Sequence, residues 1–345
     1  MQKVVKLLSE KIKELLKHKK ITIVNDYDID SCASASILWR ILRKNNIEVE
    51  HVTLSKGCEG IIAQKLKKRN PEKIVIVDYV PGKILATELS GMNVTILDHH
   101  KRDSWLDEKK EFDYFTVEDY NVKYAALSYW LYLSARDFEV SSIDWLAKLG
   151  CFWDKCIENT GFNEENVYVK LMPEMLPFNL FVSYSQTRGA QKMVEMFNES
   201  SSFEEVFQKV TESQDYKQAK TEFETELQNI NFSRHAYPEI KLNIYWVNTK
   251  FKHMRVFVDC ITYQNPGTHF FVLDEKTQFK FSLRTSLEIS LIDIIKKTKE
   301  KIPDFGGGGH LKACGAMLRN ENVEELLLVL VEEYKKAFNL QKRDD

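Results

Sequence analysis

The stretch Ile96-Leu97-Asp98-His99-His100 decides how the first half of this chain folds. Two upstream apolar runs also end in acids, because Ile21 to Val24 leads into an acidic segment and Ile74 to Val77 leads into Asp78. Short runs rich in β-branched residues predict buried strands. In an open parallel sheet, ligands bind beyond the carboxyl ends of the strands. The sequence therefore predicts three strands that deliver acids to one edge of a sheet.

Strands and helices alternate on either side of these runs. A helix is expected from Ser31 to Arg43, a strand from Val49 to Leu54 and a helix from Gly60 to Arg69. Further helices are expected within residues 124–157. This alternation is typical of βαβ units and predicts a parallel sheet in the first half of the chain.

The texture of the sequence changes after Pro238, where strands dominate. Four strands are expected, followed by two helices, at Ile240–Val247, Met254–Cys260, His269–Asp274, Gln278–Arg284, Ser290–Thr298 and Asn322–Phe338. A chain of 345 residues is long enough for two domains. We predict an α/β protein with an N-terminal parallel-sheet domain at 1–195, a helical linker at 196–236 and a smaller C-terminal α/β domain at 237–340. The linker is expected to contain one long polar helix from Phe203 to Ile230.

Composition excludes several classes of protein. The hydrophobic content of 43% and charged content of 29% are globular values, and no apolar stretch is long enough to cross a membrane. The six cysteines are irregularly spaced, which is typical of reduced thiols in a cytoplasmic protein. Cys151 and Cys156 form the one close pair, without the spacing of a zinc site, and are interpreted as packing residues. The segment Met1 to Lys20 predicts an amphipathic helix rather than a signal peptide.

The acids after the first strand have the spacing of a metal site. Asp26, Asp28 and Asp30 alternate along an extended segment, so their side chains would project to one side, where a divalent cation can bind them. The alternative is an acidic turn that caps the helix beginning at Ser31. Asp78 alone could simply end a strand, and residues 98–100 could be a surface loop. The conjunction of three such strand ends favours the metal site.

These residues carry a resemblance to the DHH phosphoesterase superfamily, most closely to its archaeal RecJ-like single-strand exonucleases. Four motifs of the catalytic domain resemble Asp26-Tyr-Asp28-Ile-Asp30-Ser31, Val77-Asp78, Asp98-His99-His100 and Asp154. The associated DHHA1 domain resembles Ser282-Leu-Arg284, Gly307-Gly-Gly-His310 and Ala313-Cys-Gly315. The first motif departs from the family pattern, which often begins with His and usually ends with Gly. Asp26 adds negative charge, which favours Mn²⁺ or Mg²⁺ over Zn²⁺, and Ser31 places a Cβ near the site.

The resemblance implies specific roles for these residues. The implied catalytic residues are Asp28, Asp30, Asp78, His99, His100 and Asp154. Two Mn²⁺ ions, with Mg²⁺ as an alternative, would be held by Asp26, Asp28, Asp30, Asp78, His99 and Asp154. Asp78 and Asp154 would contact both ions, Asp28 and Asp26 the first, and Asp30 and His99 the second. His100 would lie beside the scissile phosphate, and Asp98 would fix a histidine tautomer without contacting an ion itself.

The C-terminal domain is expected to bind the substrate. The implied binding residues are Ser282, Arg284, Gly307, Gly308, Gly309 and His310. Glycines let backbone N–H groups approach a phosphate, and arginine can pair with one in a bidentate manner. The alternative for the glycine run is a flexible loop. Lysine-rich stretches at Lys17–Lys20, Lys65–Arg69 and Lys296–Lys301 could line the path of a nucleic acid, or could be solvated helix faces.

The resemblance therefore implies a Mn²⁺-dependent exonuclease that releases nucleoside monophosphates from single-stranded RNA or DNA. One alternative is a phosphodiesterase for very short oligonucleotides. Another is a RecJ-like scaffold subunit of the replication machinery, with weak or no catalysis. The resemblance also implies the GINS complex or a fork helicase as a partner. Cleavage polarity, the preference for RNA or DNA, the partner surface and the oligomeric state stay open at this point.

Overall fold

The computed structural model describes residues 1–54, 57–101, 105–106, 112–165, 167–247, 254–275, 278–319 and 322–344. The chain divides into two compact units. Unit 1 contains Met1–Val167 and Pro173–Ala219, and unit 2 contains Tyr168–Met172 and Lys220–Asp345. Within the described residues, no helix is both long and apolar enough to cross a membrane.

Unit 1 is built on a parallel sheet. Its strands are β1 (Lys20–Asn25), β2 (Glu48–Thr53), β3 (Lys73–Val77), β4 (Val94–Asp98) and β5 (Asp113–Thr116). They lie in the order β2-β1-β3-β4-β5, and every neighbouring pair is parallel. The central strands β3 and β4 are buried along their whole length, which explains their continuous apolar sequence. The predicted parallel sheet is confirmed, with β5 as a strand that the sequence did not indicate.

Helices alternate with the strands of this sheet, and further helices lead from β5 toward the sheet of unit 2 in the sequence. They are α1 (Gln2–Leu15), α2 (Ile29–Lys44), α3 (Glu59–Arg69), α4 (Lys83–Glu88), α5 (Leu127–Ala135), α6 (Asp144–Trp153), α7 (Val167–Glu199), α8 (Phe203–Glu212) and α9 (Gln214–Asn229). The single helix expected from Phe203 to Ile230 is wrong, because Ser213 is extended and ends α8. Its hydroxyl accepts a hydrogen bond from Tyr216 N at 3.2 Å, which caps the start of α9.

Unit 2 contains a mixed sheet of six strands within the described residues. The strands are β6 (Phe232–Tyr237), β7 (Leu242–Val247), β8 (Thr268–Glu275), β9 (Gln278–Thr285), β10 (Phe305–Gly309) and β11 (Ala313–Leu318), in the order β10-β11-β9-β8-β7-β6. The helices are α10 (Met254–Gln264), α11 (Leu291–Lys301) and α12 (Val323–Asp344). The α/β class predicted for this part of the chain is confirmed.

The structure of unit 2 differs from the sequence analysis in three places. Met254–Cys260, which was expected to be a strand, belongs to helix α10. Val256, Phe257 and Val258 are buried in this helix, although β-branched and aromatic residues are common in strands. The alternative interpretation of the glycine run as a flexible loop is wrong, because Gly306–Gly309 is most of strand β10, which pairs with β11. Strand β6 occupies residues that the sequence assigned to the helical linker.

Candidate metal centre

The acids of the central strands meet at one edge of the sheet in unit 1. Asp78 follows β3, Asp98 is the last residue of β4, and the segment from Asp26 to Asp30 follows β1. Since β1, β3 and β4 are parallel neighbours, these residues leave the sheet at its carboxyl edge. The topology thus brings together acids that are far apart in the sequence.

Asp78 has an unusual backbone conformation. Its φ of 54° lies in the left-handed region, which residues with a Cβ adopt rarely and which is common at functional sites. Asp78 N donates to Leu97 O at 2.9 Å, so the residue stays attached to the neighbouring strand. The loop that follows is held by Glu59, which accepts hydrogen bonds from the Tyr79 hydroxyl and from Gly82 N. The carboxylate of Asp78 is therefore directed by a restrained turn.

Asp30 and Asp154 reach the same place from helices. Asp30 is fully buried and accepts hydrogen bonds from Leu127 N at 2.8 Å and Ser128 N at 3.2 Å, in the first turn of α5. Asp154 is the residue that ends α6. A Cβ at Gly150 of α6 would collide with the carboxylate of Asp30 and the hydroxyl of Ser128. A glycine is thus needed for α6 to approach Asp30 closely.

His99 lies at the centre of these carboxylates. Its Nε2 is 3.0 Å from Asp78 Oδ1, 3.3 Å from Asp154 Oδ2 and 3.9 Å from Asp30 Oδ2. Its Nδ1 is 3.0 Å from Ala125 O, and because a carbonyl oxygen only accepts, Nδ1 must carry the proton. Burial lowers the pKa of His99 to about 3, so the ring is neutral and Nε2 presents a lone pair. Because Nε2 and ionised carboxylate oxygens are all acceptors, a cation or a proton between them would stabilise this arrangement.

The carboxyl groups themselves are held in an unfavourable state. Burial, together with repulsion from Asp28, raises the pKa of Asp30 to about 7. Burial and the neighbouring acids raise the pKa of Asp78 well above its ordinary value. Among the described residues, no group donates a hydrogen bond to the buried Asp78 Oδ1. Buried carboxylates in this state favour a cation, which would remove both the repulsion and the missing contact.

Asp98 plays a different part, because hydrogen bonds satisfy its carboxylate. Asp98 Oδ1 accepts from His99 N at 2.8 Å, His100 N at 3.2 Å and His100 Nδ1 at 2.8 Å, and Tyr114 donates to Oδ2 at 3.0 Å. Burial alone would raise the pKa of Asp98, but His100 holds it at about 2. Burial likewise opposes protonation of His100, but the Asp98 carboxylate raises its pKa to about 9. His100 is therefore an imidazolium, and one third of its side chain is exposed.

Asp26 and Asp28 lie at the rim of this centre. Within the described residues, carboxylate and imidazole donors come within 4.8 Å of one another in two groups, which are Asp78, Asp98, His99 and His100, and Asp30, His99 and Asp154. Asp26 and Asp28 are in neither group. Asp28 Oδ1 accepts from Ser31 N at 2.8 Å and caps α2, as the alternative interpretation of this segment held. The predicted metal roles of these two acids stay predictions.

Some residues of the centre were not anticipated. Tyr124 donates to Asp154 Oδ2 at 3.3 Å, and its ring lies 5.3 Å from the ring of His99. Tyr114 and Glu59 contribute the hydrogen bonds described above. Tyr124 precedes a helix in an irregular segment, and Tyr114 is in an edge strand, so neither spacing nor a motif signals them. Tertiary structure brings them to the site from a helix, a strand and an irregular segment.

The predicted substrate residues form a second cluster, in unit 2. Gly308 of β10, Gly315 of β11 and Ser282 of β9 are directly opposite one another across three strands. A Cβ at Gly308 or Gly315 would meet nothing within 4 Å, whereas a Cβ at Gly307 or Gly309 would collide with β11. We call Gly308, Gly315 and Ser282 the glycine strip. His310 follows β10, and its N donates to Ala313 O at 2.8 Å in the turn to β11.

Arg284 lies beside this strip but is already paired. It is 7% exposed, and its Nε donates to Asp259 Oδ1 of α10 at 2.9 Å. One of its terminal nitrogens also donates to Leu283 O at 2.9 Å. The guanidinium is thus largely engaged within its own unit. The structure places Arg284 next to Ala313 and near the glycine strip, with its charge balanced by Asp259.

Comparisons with known proteins agree with this architecture. Residues 20–143 match the model of the DHH family N-terminal domain, and residues 245–337 match the model of the DHHA1 domain. A search of curated protein sequences found no match.

Solved structures share the fold at low identity. RecJ from Thermus thermophilus, solved with Mn²⁺, is similar over 97% of this chain, with a TM-score of 0.59 and 16% identity. The match spans 55% of that RecJ chain, so this chain corresponds to about half of its length. An exopolyphosphatase-related protein from Bacteroides fragilis has a TM-score of 0.56 and 14% identity, with 99% of this chain and 98% of that chain covered.

A DHH domain described as belonging to a family of ribosomal proteins has a TM-score of 0.68 and 15% identity, with coverage of 96% of this chain and 90% of that chain. At such identities the structures show the fold and no more. The family models nevertheless match most of the chain. The first matched region contains the sheet of unit 1, and the second contains most of the sheet of unit 2. The acids and histidines lie at the edge of the first sheet. The chain belongs to the DHH phosphoesterase superfamily, with an N-terminal DHH domain and a C-terminal DHHA1 domain.

Proposed function

We propose that this protein is a divalent-metal-dependent phosphodiesterase that acts as an exonuclease on single-stranded RNA or DNA and releases nucleoside monophosphates. The observation that carries the proposal is the lone pair of His99 Nε2, which faces Asp78 and Asp154 at 3.0 and 3.3 Å. Three acceptor groups converge in a buried space, which suits a cation. The DHH superfamily to which the chain belongs consists of phosphoesterases, which supports hydrolysis as the reaction.

The donors fit a hard or borderline divalent ion. Carboxylate oxygens with one imidazole nitrogen suit Mn²⁺ or Mg²⁺, and no cysteine sulfur is among the grouped donors in the described residues. The proposed ligands are Asp26, Asp28, Asp30, Asp78, His99 and Asp154. When bound, two such ions would polarise the phosphate and lower the pKa of a water. RecJ structures solved with Mn²⁺ support this ion.

The chain's own residues have separable tasks. Asp98 fixes the orientation of His100 and keeps it protonated, so that the imidazolium would bind a non-bridging oxygen of the scissile phosphate. The Nδ1–H of His99 is held by Ala125 O, which keeps Nε2 directed at the ions. Tyr124 would restrain Asp154 in the same way. These contacts are made before any substrate binds, and they favour a preorganised site.

The glycine strip is the proposed contact surface for the substrate backbone in unit 2. It presents main chain without side chains on an open face, where N–H groups and the Ser282 hydroxyl can approach a phosphate. Gly307, Gly309 and His310 would shape the adjoining strand and turn. Arg284 would contribute its remaining N–H groups, with less net charge than an unpaired arginine because Asp259 neutralises it.

A phosphodiesterase for very short oligonucleotides is the second candidate. It is supported by the exopolyphosphatase-related protein, of which 98% is matched, compared with 55% of the RecJ chain. A scaffold without catalysis fits less well, because Asp78, His99, His100 and Asp154 are all present and converge. A cytoplasmic location, an archaeal origin and binding to GINS or a fork helicase stay predictions.

Hydrolysis of labelled substrates tests the proposal. Single-stranded RNA and DNA, labelled at either end, and a dinucleotide would be incubated with Mn²⁺, Mg²⁺ or chelator. We expect Mn²⁺-dependent release of mononucleotides from the long strands, which Asp154→Ala abolishes and the exposed control Asp137→Ala retains. Cleavage of the dinucleotide alone would favour the second candidate. Strand binding without cleavage under any metal would refute both.

A further inference from the structure

Ser31 connects the two strand ends that carry the acids. It is completely buried, in the first turn of α2. Its hydroxyl accepts a hydrogen bond from Asp26 N at 2.7 Å and donates one to Val77 O at 3.3 Å. Its own N donates to Asp28 Oδ1 at 2.8 Å. One side chain and one amide thus contact the acidic segment after β1 and the residue that precedes Asp78.

The peptide groups of Asp26 are restrained from both directions. Asp26 N is held by Ser31, and Asp26 O accepts from Asn25 Nδ2 at 2.6 Å. Asn25 is itself anchored, because its Oδ1 lies 2.6 Å from Nε2 of His51 on the neighbouring strand β2. The Asn25 side chain reaches toward β2, whereas the Ser31 hydroxyl reaches toward β3. The backbone ladder joins β1 to β3 as far as the pair Asn25 and Val77, and the Ser31 hydroxyl extends this connection to Asp26, the first residue beyond β1.

We propose that Ser31 is a positioning residue whose hydroxyl holds the Asp26–Asp28 segment against the end of β3 and so sets its distance from Asp78. This inference rests on the proposed function, because it concerns the same metal centre. Asp78 has a strained φ of 54° and Asp28 is restrained by its capping bond, so a small shift between the strand ends would not be absorbed by these residues. Metal ligands on separate segments need such outer contacts to keep their geometry.

The matched control is another serine of the same helix. Ser34 is also fully buried, but among the described residues its hydroxyl has no hydrogen-bond partner. Ser31→Ala and Ser34→Ala remove the same atom from the same helix at equal burial. Ser31→Thr retains the hydroxyl at position 31. If Ser31→Ala does not fold, Ser31→Cys keeps a side chain of similar shape with a much weaker hydrogen bond.

Two measurements separate the inference from the proposed function. Hydrogen exchange at the Asp26 amide is measured in the metal-free protein, and Mn²⁺ affinity is measured by calorimetric titration. We expect Ser31→Ala to accelerate exchange at Asp26 and to weaken Mn²⁺ binding about tenfold. Ser34→Ala should change neither quantity, and Ser31→Thr should keep both close to their wild-type values.

The outcomes are distinguishable. If the wild type binds Mn²⁺ and Asp78→Asn does not, but Ser31→Ala behaves as wild type in both measurements, the positioning role is refuted and the metal centre stands. If the wild type binds no divalent ion, the proposed function fails, and exchange at Asp26 alone decides whether Ser31 braces the two strand ends. Equal losses in Ser31→Ala and Ser34→Ala would show general damage to α2 and would also refute the positioning role.

Discussion

Buried charges are balanced differently in two regions of the molecule. One region is the carboxyl edge of the sheet in unit 1, and the other is the glycine strip with Arg284 in unit 2. At the first, Asp30, Asp78 and Asp154 crowd around a neutral His99, and burial raises the pKa of Asp30 and Asp78 although His100 lies 3.8 Å from Asp78 Oδ1. In the second, the buried Arg284 is balanced by Asp259 at 2.9 Å. Buried acids with strongly shifted pKa values are typical of a ligand-binding site. A buried acid and base at hydrogen-bonding distance are typical of a contact that stabilises the fold.

The largest effect is expected from a substitution among the buried acids of unit 1. Asp78→Asn should weaken Mn²⁺ binding at least about 100-fold and remove metal-dependent hydrolysis, because a central ligand is lost. It should also raise the melting temperature of the metal-free protein at neutral pH, because a neutral amide removes the cost of burying an ionisable group beside other acids. Titration calorimetry and thermal unfolding measure the two effects.

The exposed Asp137→Asn serves as the control and should change neither quantity. A lower melting temperature for the metal-free Asp78→Asn protein would mean that the carboxylates are not in conflict, and the comparison between the two regions would break down.

The second prediction concerns the balanced pair of unit 2. Arg284→Ala should lower the free energy of unfolding by about 3 to 5 kcal/mol, because it removes the guanidinium that neutralises the buried carboxylate of Asp259. Replacement of both partners, as Arg284→Met with Asp259→Ala, should recover much of that loss. Urea unfolding of the single and double variants measures the coupling.

Substrate binding by the same variants sharpens the comparison. If Arg284→Ala keeps its stability but loses affinity for a single strand, the arginine serves the substrate rather than the fold. Unit 2 would then resemble unit 1, because in both units a buried charged side chain would serve to bind a ligand.

The third prediction uses a half-buried histidine of β2, which contacts the Asn25 side chain. Burial lowers the pKa of His51 to about 4, below its ordinary value of 6.5. The unfolded chain therefore binds a proton that the folded protein excludes, and His51 contributes stability that is complete above pH 6.5 and is lost as the pH falls toward 4. The loss should reach about 2 to 3 kcal/mol.

The His51→Gln variant isolates this effect from the carboxyl groups, whose raised pKa values act in the opposite direction. The difference in unfolding free energy between wild type and variant should fall between about pH 7 and about pH 4. A difference that is constant over this range would show that His51 is accessible to protons in the folded state.

The smallest effect is expected at the glycine strip. Gly308→Ala adds a methyl group to an open face and should change stability by less than about 0.5 kcal/mol. If the strip contacts phosphates, the same change should weaken single-strand binding several-fold. Gly307→Ala is the counterpart, because its methyl group would collide with β11 and should reduce stability. Unchanged binding by Gly308→Ala would remove the strip as a substrate surface.

Periodicity and strand endings predicted much of unit 1 correctly. The buried strands β1, β3 and β4, the parallel sheet and the acids at its edge all follow from short apolar runs that end in Asp. The secondary structure of unit 2 was harder to predict from the sequence. Its helix α10 contains Val256, Phe257 and Val258, which also suit a strand, and β10 is built largely of glycine, which has low strand propensity. Packing against neighbours overrode local preference in both cases.

The sequence by itself determined which side chains are available for chemistry at the carboxyl edge, because the acids and histidines follow strands whose direction the βαβ pattern sets. The tertiary structure decided the state of each group. It placed Nε2 of His99 against Asp78, gave His100 to Asp98, brought in Tyr124 and Ser31, and paired Arg284 with Asp259. The physical reason is that burial and charge pairing depend on neighbours distant in sequence, which periodicity does not report.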